Sequence, residues 1–138
     1  MKFSTQLLCW LSLAASPFFN NAFAIDNGVY TIKSKYSAKF VEVANASTAD
    51  GANISQWANT NHDTQRWLIT QVENNNYSVI NLNSGKAMEV FEWSTTDGAN
   101  VVQYDYSAGA TQHWQINSEG NGYVSFINAN SQKALDLY

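Results

Sequence analysis

The sequence predicts an all-β fold assembled from repeats of about 47 residues, and three observations support this prediction. Residues 84–114 match residues 37–67 without a gap when shifted by 47 positions, and a third copy begins at residue 131 and is cut short. Within each copy, short apolar runs alternate with a period of two, as β-strands do. Asp50-Gly51 and Asp97-Gly98 are turn dipeptides at equivalent places, because glycine tolerates a positive φ angle.

Residues 1–24 are predicted to be a secretory signal peptide. Lys2 supplies a positive start, residues 7–15 form a short apolar run, and Ala22-Phe23-Ala24 offers small residues for cleavage at its end. The apolar run is too short to cross a bilayer, which takes about 20 residues, so no membrane span is expected. The alternative, a retained buried helix, is disfavoured because nothing downstream has a helical pattern. We expect a secreted protein, extracellular or periplasmic, with a mature domain at residues 25–138.

The composition of this mature domain argues against several classes of partner. Removal of the leader takes away Cys9, the single cysteine, so disulfide and thiol chemistry are not expected. Removal of Lys2 leaves six Lys and Arg residues against eleven Asp and Glu residues, so the net charge changes from −4 to −5. Nucleic acids and anionic membranes attract clustered Lys and Arg, so neither is an expected partner. No cluster has metal-ligand spacing, and no cofactor is expected.

Each complete repeat is predicted to contain four short strands, rich in β-branched and aromatic residues and bounded by Asn, Asp, Gly and Ser. The first repeat (about residues 26–72) has candidate strands at 29–33, 39–43, 53–57 and 66–70. The second repeat (73–119) has them at 77–81, 86–91, 100–104 and 113–116. The partial third repeat (120–138) has them at 123–128 and 133–137.

Four strands per repeat suit either a propeller blade or one lobe of a three-lobed β-barrel. A propeller needs about 4–8 blades, whereas this chain has room for about two and a half repeats. The three-lobed barrel is therefore favoured. Because the third repeat is cut short, we expect open strand edges on the first and last lobes, and such edges are templates for self-association.

Two Q-x-W motifs, Gln65-Arg66-Trp67 and Gln112-His113-Trp114, stand at the same register near the ends of the first two repeats. Each follows an S-[AG]-K-x-x-E-V segment and a D-G-A-N segment. With these flanking matches the chain resembles the ricin B-type lectin family over about residues 26–138. The resemblance implies a β-trefoil fold and a non-catalytic module that binds glycans, with galactose- or xylose-type sugars as candidate ligands. The sequence departs from the family pattern at its end, where a third Q-x-W would fall at residues 159–161.

The resemblance also implies an acidic residue at one position of each repeat, where Glu42, Glu89 and Asp136 stand. Such a carboxylate accepts hydrogen bonds from adjacent sugar hydroxyls, and charge-assisted bonds are roughly twice as strong as neutral ones. The family usually has Asp here, so the longer Glu42 and Glu89 displace the carboxylate by one methylene. The alternative is a solvated strand charge. The third repeat is cut short after Asp136, so its platform and Q-x-W positions are missing and no functional third site is expected.

An aromatic platform is implied at Trp57 and Tyr104, whose flat faces would lie against the apolar face of a sugar ring. Core packing is the alternative for both. The family's Asn before the Q-x-W glutamine is replaced by threonine, and a residue on the same loop could compensate. The further residues of the two predicted sites are therefore Asn59, Thr64, Gln65, Tyr106, Thr111 and Gln112.

Other aromatic residues are assigned by their place in the repeat. Trp67 and Trp114 stand where the family buries its core tryptophans, and the glutamines of the motifs are expected to fix a neighbouring turn. Phe91 and Trp93 break the repeat, because the first copy has alanines in their places. They indicate either an accessory contact with sugar or a partner, or a local variation in packing.

Three functional classes are compared on these residues, and a secreted carbohydrate-binding module explains most of them. A glycoside hydrolase needs two carboxyl groups about 5–9.5 Å apart, whereas Glu42 and Glu89 belong to different lobes. The two histidines share no register, and no nucleophile and base pair is present. The remaining alternative is a protein-interaction or toxin-type subunit that has lost sugar binding, which the Glu and Thr replacements and the missing strands would favour.

Overall fold

The computed structural model describes residues 2–4 and 23–136, which form β-strands and short 3-10 turns. Most of the predicted signal peptide, residues 5–22, lies outside the described residues. None of the helical segments in the described part is long and apolar enough to cross a membrane. The strands are β1 (Lys2–Ser4), β2 (Gly28–Tyr30), β3 (Phe40–Val43), β4 (Ile54–Trp57), β5 (Trp67–Glu73), β6 (Asn76–Asn81), β7 (Ala87–Val90), β8 (Val101–Tyr104), β9 (His113–Gly120), β10 (Tyr123–Asn128) and β11 (Ala134–Asp136).

The repeat is visible in the order of these elements, and the all-β prediction is confirmed. Strands β2 to β5 form the first lobe, β6 to β9 the second, and β10 and β11 belong to the third. In the first two lobes a 3-10 turn follows the second strand, at Ala44–Ala46 and Phe91–Trp93, and another precedes the fourth, at Asp63–Gln65 and Ala110–Gln112. Equivalent sequence thus produces equivalent local structure in the two lobes.

The strands pair antiparallel throughout the described residues. The main sheet runs β1-β11-β10-β9-β6-β5-β2, with β7 branching from β6 and pairing in turn with β8. Strands β3 and β4 form a separate hairpin in the first lobe, which corresponds to the β7–β8 hairpin of the second lobe. These two hairpins carry the predicted sugar sites.

The last lobe is predicted to have an open strand edge, but in the structure this edge is covered by another strand. Strand β1 pairs with β11, with Lys2 opposite Asp136 and Ser4 opposite Ala134. Free backbone N–H and C=O groups on an edge strand accept a further strand in this way. Because β1 lies within the predicted signal peptide, cleavage after Ala24 would remove this cover.

The core contains the two motif tryptophans in equivalent, fully buried places, as the repeat predicts. Trp67 Nε1 donates to the Val41 carbonyl at 3.1 Å, and Trp114 Nε1 donates to the Met88 carbonyl at 3.0 Å. Phe126 of the partial third lobe is also buried, because β10 pairs with β9 and places its ring in the same cluster.

Neighbouring lobes are joined at the D-G turns. Lys86 of the second lobe pairs with Asp50 of the first at 2.7 Å, and Lys133 of the third pairs with Asp97 of the second at 2.5 Å. The hydrogen bond from Lys86 holds the pKa of Asp50 below its ordinary value. Lys39 is the first-lobe equivalent of these lysines, and no carboxylate among the described residues forms an ion pair with it.

Candidate functional site

A surface pocket of about 500 Å³ opens in the first lobe beside the β3–β4 hairpin. Three of the predicted site residues, Glu42, Trp57 and Thr64, line it. Strand geometry explains the arrangement, because Ser55 lies directly opposite Glu42 and Trp57 follows two residues later on the same face. The rest of the lining comes from the 3-10 turn, the strand and the following loop: Ala44, Asn45, Ala46, Ser55, Thr60 and His62.

The Glu42 carboxylate is held in place by the glutamine of the Q-x-W motif. Gln65 Nε2 donates to Glu42 Oε2 at 2.8 Å and to the Ala58 carbonyl at 2.7 Å. Its Oε1 accepts from the Thr60 backbone N–H at 3.0 Å. Gln65 is buried, so it lies beneath the pocket and aims the carboxylate instead of forming its wall.

The second lobe repeats this arrangement closely. Gln112 Nε2 donates to Glu89 Oε2 at 2.6 Å and to the Asp105 carbonyl at 2.9 Å, while its Oε1 accepts from the Ser107 backbone N–H at 2.8 Å. A buried glutamine with every polar atom bonded fixes a unique loop conformation, since an unpaired buried group is costly. The predicted turn-fixing role of the two glutamines therefore agrees with the structure in both lobes.

The surroundings of the two carboxylates differ. Glu42 is half-buried, with the hydroxyl of Ser55 opposite, whereas Glu89 is only 9% exposed and has Val102 opposite. Burial raises the pKa of Glu89; the hydrogen bond from Gln112 opposes this shift and the charge of Asp50 adds to it. The first lobe thus exposes its acid to solvent more than the second lobe does.

We expect the burial of Glu89 to appear as a pH dependence of stability. Its raised pKa means that the folded state binds this proton more tightly than the unfolded state does. The free energy of unfolding should therefore fall as pH rises from the ordinary carboxyl range through the raised pKa, and Glu89→Gln should flatten this fall. Urea titrations between about pH 4 and pH 8 would measure it. The control Glu92→Gln, on an exposed side chain, should keep the wild-type profile, and an equal flattening there would contradict the assignment.

The aromatic residues predicted as platforms also differ between lobes. Trp57 is 58% exposed and lines the pocket. Tyr104 is half-buried against the first-lobe turn, because its hydroxyl lies 3.5 Å from where a Cβ on Gly51 would stand. Only Trp57 therefore presents an open ring face at the position that the repeat assigns.

The loop residues of the predicted sites lie in varied places. Asn59 is exposed but outside the pocket wall, and its Oδ1 accepts from the Asn61 backbone N–H at 3.0 Å. Tyr106 is exposed, and its hydroxyl is 3.0 Å from His113 Nε2. Thr111, like Thr64, is buried beside its motif glutamine.

Asp136 lies apart from both hairpin sites. It is half-buried on β11 and lines a larger cavity of about 990 Å³. Among the described residues, no group of three or more His, Cys, Asp or Glu is arranged to hold a metal ion.

Sequence reasoning missed four polar residues of the first-lobe pocket, Asn45, Ser55, Thr60 and His62. The signal for Ser55 was available, because it alternates with Trp57 on β4. His62 caps the 3-10 turn Asp63–Gln65, since its Nδ1 accepts from the Thr64 backbone N–H at 3.3 Å. That role depends on the folded loop, and the second repeat has no histidine at the equivalent position, so the repeat does not reveal it.

The chain matches a known protein family. Residues 19–104 and 63–138 match the family described as Ricin-type beta-trefoil lectin domain-like. The chain belongs to this family. The ricin B-type resemblance and the β-trefoil fold are therefore confirmed. No curated protein matches the chain.

Three solved structures illustrate the range of similar proteins. ThreeFoil, a designed three-fold symmetric protein, is 41% identical, with a TM-score of 0.77 over 78% of this chain and 77% of its own. An exo-β-1,3-galactanase from Clostridium thermocellum is 28% identical, with a TM-score of 0.75 over 80% of this chain and 24% of its own. A Polyporus squamosus lectin bound to the epitope Neu5Aca2-6Galb1-4GlcNAc is 25% identical, with a TM-score of 0.68 over 82% and 40%. The chain spans less than half of the latter two proteins.

Proposed function

We propose that this protein is a secreted carbohydrate-binding module that holds sugar units in its lobes without catalysing a reaction. The observation that carries the proposal is the first-lobe pocket, where the Glu42 carboxylate and the exposed ring of Trp57 lie on the same face of the β3–β4 hairpin. A carboxylate accepts from two neighbouring hydroxyls, and an aromatic face covers the apolar side of a pyranose. These are the two kinds of contact that a sugar ring requires.

The arrangement of the acids supports binding over hydrolysis. Glu42 and Glu89 stand on separate hairpins, β3–β4 and β7–β8, and each is bonded to the glutamine of its own lobe. A glycosidase instead brings two carboxyl groups together around one glycosidic bond. The acids of this chain are spaced for two independent ligands.

Galactose-type sugars are the first candidates, with xylose-type sugars as a second class. Two of the similar structures, the galactanase and the lectin bound to a galactose-containing epitope, are galactose-related by name. A shallow site with one ring and a few hydrogen bonds should bind a free sugar weakly, with a Kd of roughly 0.1–10 mM.

The test of the proposal is glycan capture with a matched aromatic control. Clustered wild-type protein should bind galactose-bearing or xylan surfaces on an array of common sugars and polysaccharides. Trp57→Ala should lose at least about tenfold in affinity for free sugar at the first lobe. Tyr36→Ala removes another exposed ring, outside the pocket, and should bind like wild type. If clustered wild type captures no glycan, the protein is an interaction subunit and the proposal fails.

We also propose that copies of the mature protein self-associate through an open face formed by the first lobe and β10–β11. The 990 Å³ cavity on this face is lined by core side chains, including Val41, Ile116 and Leu135. Lys39 takes the place of the interlobe lysines and has no ion-pair partner among the described residues, and the acidic chain supplies carboxylates for it. A second copy would cover the apolar lining and the β11 edge together.

Sedimentation of two forms of the chain tests this association. Residues 25–138, which lack β1, should form dimers or larger species at micromolar concentration more readily than the full chain does. Lys39→Glu should weaken the assembly, whereas the control Glu92→Lys, which changes an exposed charge outside the cavity lining, should weaken it less. A stable monomer of residues 25–138 would contradict the proposal.

A further inference from the structure

The second lobe carries a large exposed ring that its sequence position alone does not explain. Trp93 is 63% exposed and ends the 3-10 turn Phe91–Trp93. Its Cη2 lies 3.6 Å from where a Cβ on Gly109 would stand, and Thr111 Oγ1 lies 3.7 Å from the same point. The indole therefore reaches across to the loop that leads into the Gln112 and Glu89 pair.

The first lobe has the opposite arrangement at the two equivalent positions. Forty-seven residues before Trp93 is Ala46, and forty-seven before Gly109 is His62. Both Ala46 and His62 line the first-lobe pocket. Of these two positions, each lobe thus has a ring at one: His62 in the loop of the first lobe, and Trp93 in the 3-10 turn of the second.

Tyr104, the ring that the repeat assigns to the second site, is engaged elsewhere. It is half-buried, with its hydroxyl against the Gly51 turn of the first lobe, next to the Lys86 and Asp50 ion pair. A ring packed between lobes has less of its face available for ligand than the exposed Trp93 has.

We propose that the indole of Trp93, and not Tyr104, is the sugar-stacking ring of the second lobe. The first lobe has Ala46 and His62 where the second has Trp93 and Gly109, and this difference gives the two lobes different sugar preferences. The inference rests on the proposed function and specifies how its second site is built. Gly109 carries no side chain, and the position of a Cβ there is at ordinary contact distance from the indole, so Trp93 lies against the loop beside Thr111.

The chemistry around Glu89 indicates which sugars this lobe prefers. Val102 faces the buried Glu89, where the first lobe offers the Ser55 hydroxyl to Glu42. Fewer polar groups are available for ligand hydroxyls, so ring stacking supplies a larger share of the contact. We expect the second lobe to favour xylose-type rings, which lack the hydroxymethyl group, and the first lobe to favour more hydroxylated units such as galactose.

The backbone permits a clean test at residue 93. Trp93 has a φ of +57°, and Ala46 holds the same turn position with a φ of +51°. Trp93→Ala therefore reproduces a backbone and side chain that this protein already uses in its first lobe, and the variant should fold normally.

The experiment uses full-length protein that carries Trp57→Ala, so that the remaining sugar binding comes from the second lobe. In this background, Trp93→Ala is compared with Tyr104→Ala. Xylan and galactose-agarose are the probes, together with the indole N–H signals of Trp93 during titration with free xylose. Trp93→Ala should weaken xylan binding by at least about tenfold, whereas Tyr104→Ala should change it by less than about threefold. A large loss with Tyr104→Ala and none with Trp93→Ala would overturn the inference.

A transplant of the pair tests specificity directly. In protein whose second lobe carries Trp93→Ala, the double change Ala46→Trp and His62→Gly should move the preference of the first lobe from galactose-agarose towards xylan. Unchanged preference in a folded variant would overturn the specificity assignment. Failure of wild type to bind either probe would instead overturn the proposed function on which the inference rests, and the two failures are distinguishable.

Discussion

Replacing Trp114 with alanine should lower the free energy of unfolding by about 3–5 kcal/mol. The side chain is fully buried, and its removal leaves a cavity between β9 and the second-lobe hairpin while depriving the Met88 carbonyl of its 3.0 Å bond from Nε1. Domains of this size are stable by only about 5–15 kcal/mol, so the change removes a large part of the total. Urea or thermal unfolding measures the loss.

The repeat supplies matched controls for this prediction. Trp67→Ala should cost a similar amount, because Trp67 has the same burial and the same kind of bond to Val41. Trp93→Ala removes an equally large but exposed ring and should stay within about 0.5 kcal/mol of wild type. If Trp114→Ala and Trp93→Ala cost the same, the burial that defines the core tryptophans is not what stabilises the fold.

Disabling one lobe should reduce apparent affinity for a polysaccharide by about 10²–10⁴, although each lobe alone binds a free sugar only weakly. The effect arises because the second lobe binds an already tethered chain at high effective concentration when the geometry allows both to engage. Trp57→Ala disables the first lobe, and Trp93→Ala with Tyr104→Ala removes both candidate rings of the second. Retention on xylan or galactan at several ligand densities measures the loss.

Free sugar provides the contrast that identifies avidity. Calorimetry with galactose and with xylose should together show two sites per chain in wild type and one in either single-lobe variant, with the affinity of the remaining site unchanged. The triple variant should not be retained on any surface, whereas Tyr36→Ala should match wild type. If loss of one lobe weakens polysaccharide binding only about twofold, the two sites act separately and the avidity prediction is wrong.

The sequence by itself determined the architecture of this protein, because the strand and turn patterns are local and occur in both complete repeats. Alternation of apolar residues with a period of two places Trp67 and Trp114 on inward strand faces, and the D-G dipeptides require turns between strands. Four strands, four strands and two are found where these patterns predict them. The Q-x-W register led to the β-trefoil and the lectin-like family, both of which are confirmed. The signal peptide and the site assignments remain predictions.

Only the tertiary structure decided how equivalent positions came to differ. Trp57 and Tyr104 share a register, yet Tyr104 packs on the turn of a neighbouring lobe and Trp57 stays open. Glu42 and Glu89 likewise share a register, but Val102 and the surrounding packing bury only Glu89. The cover on the β11 edge comes from a strand at the other end of the chain. A repeat fixes the backbone path of each lobe, whereas exposure and desolvation are set by residues of other lobes, which no local pattern contains.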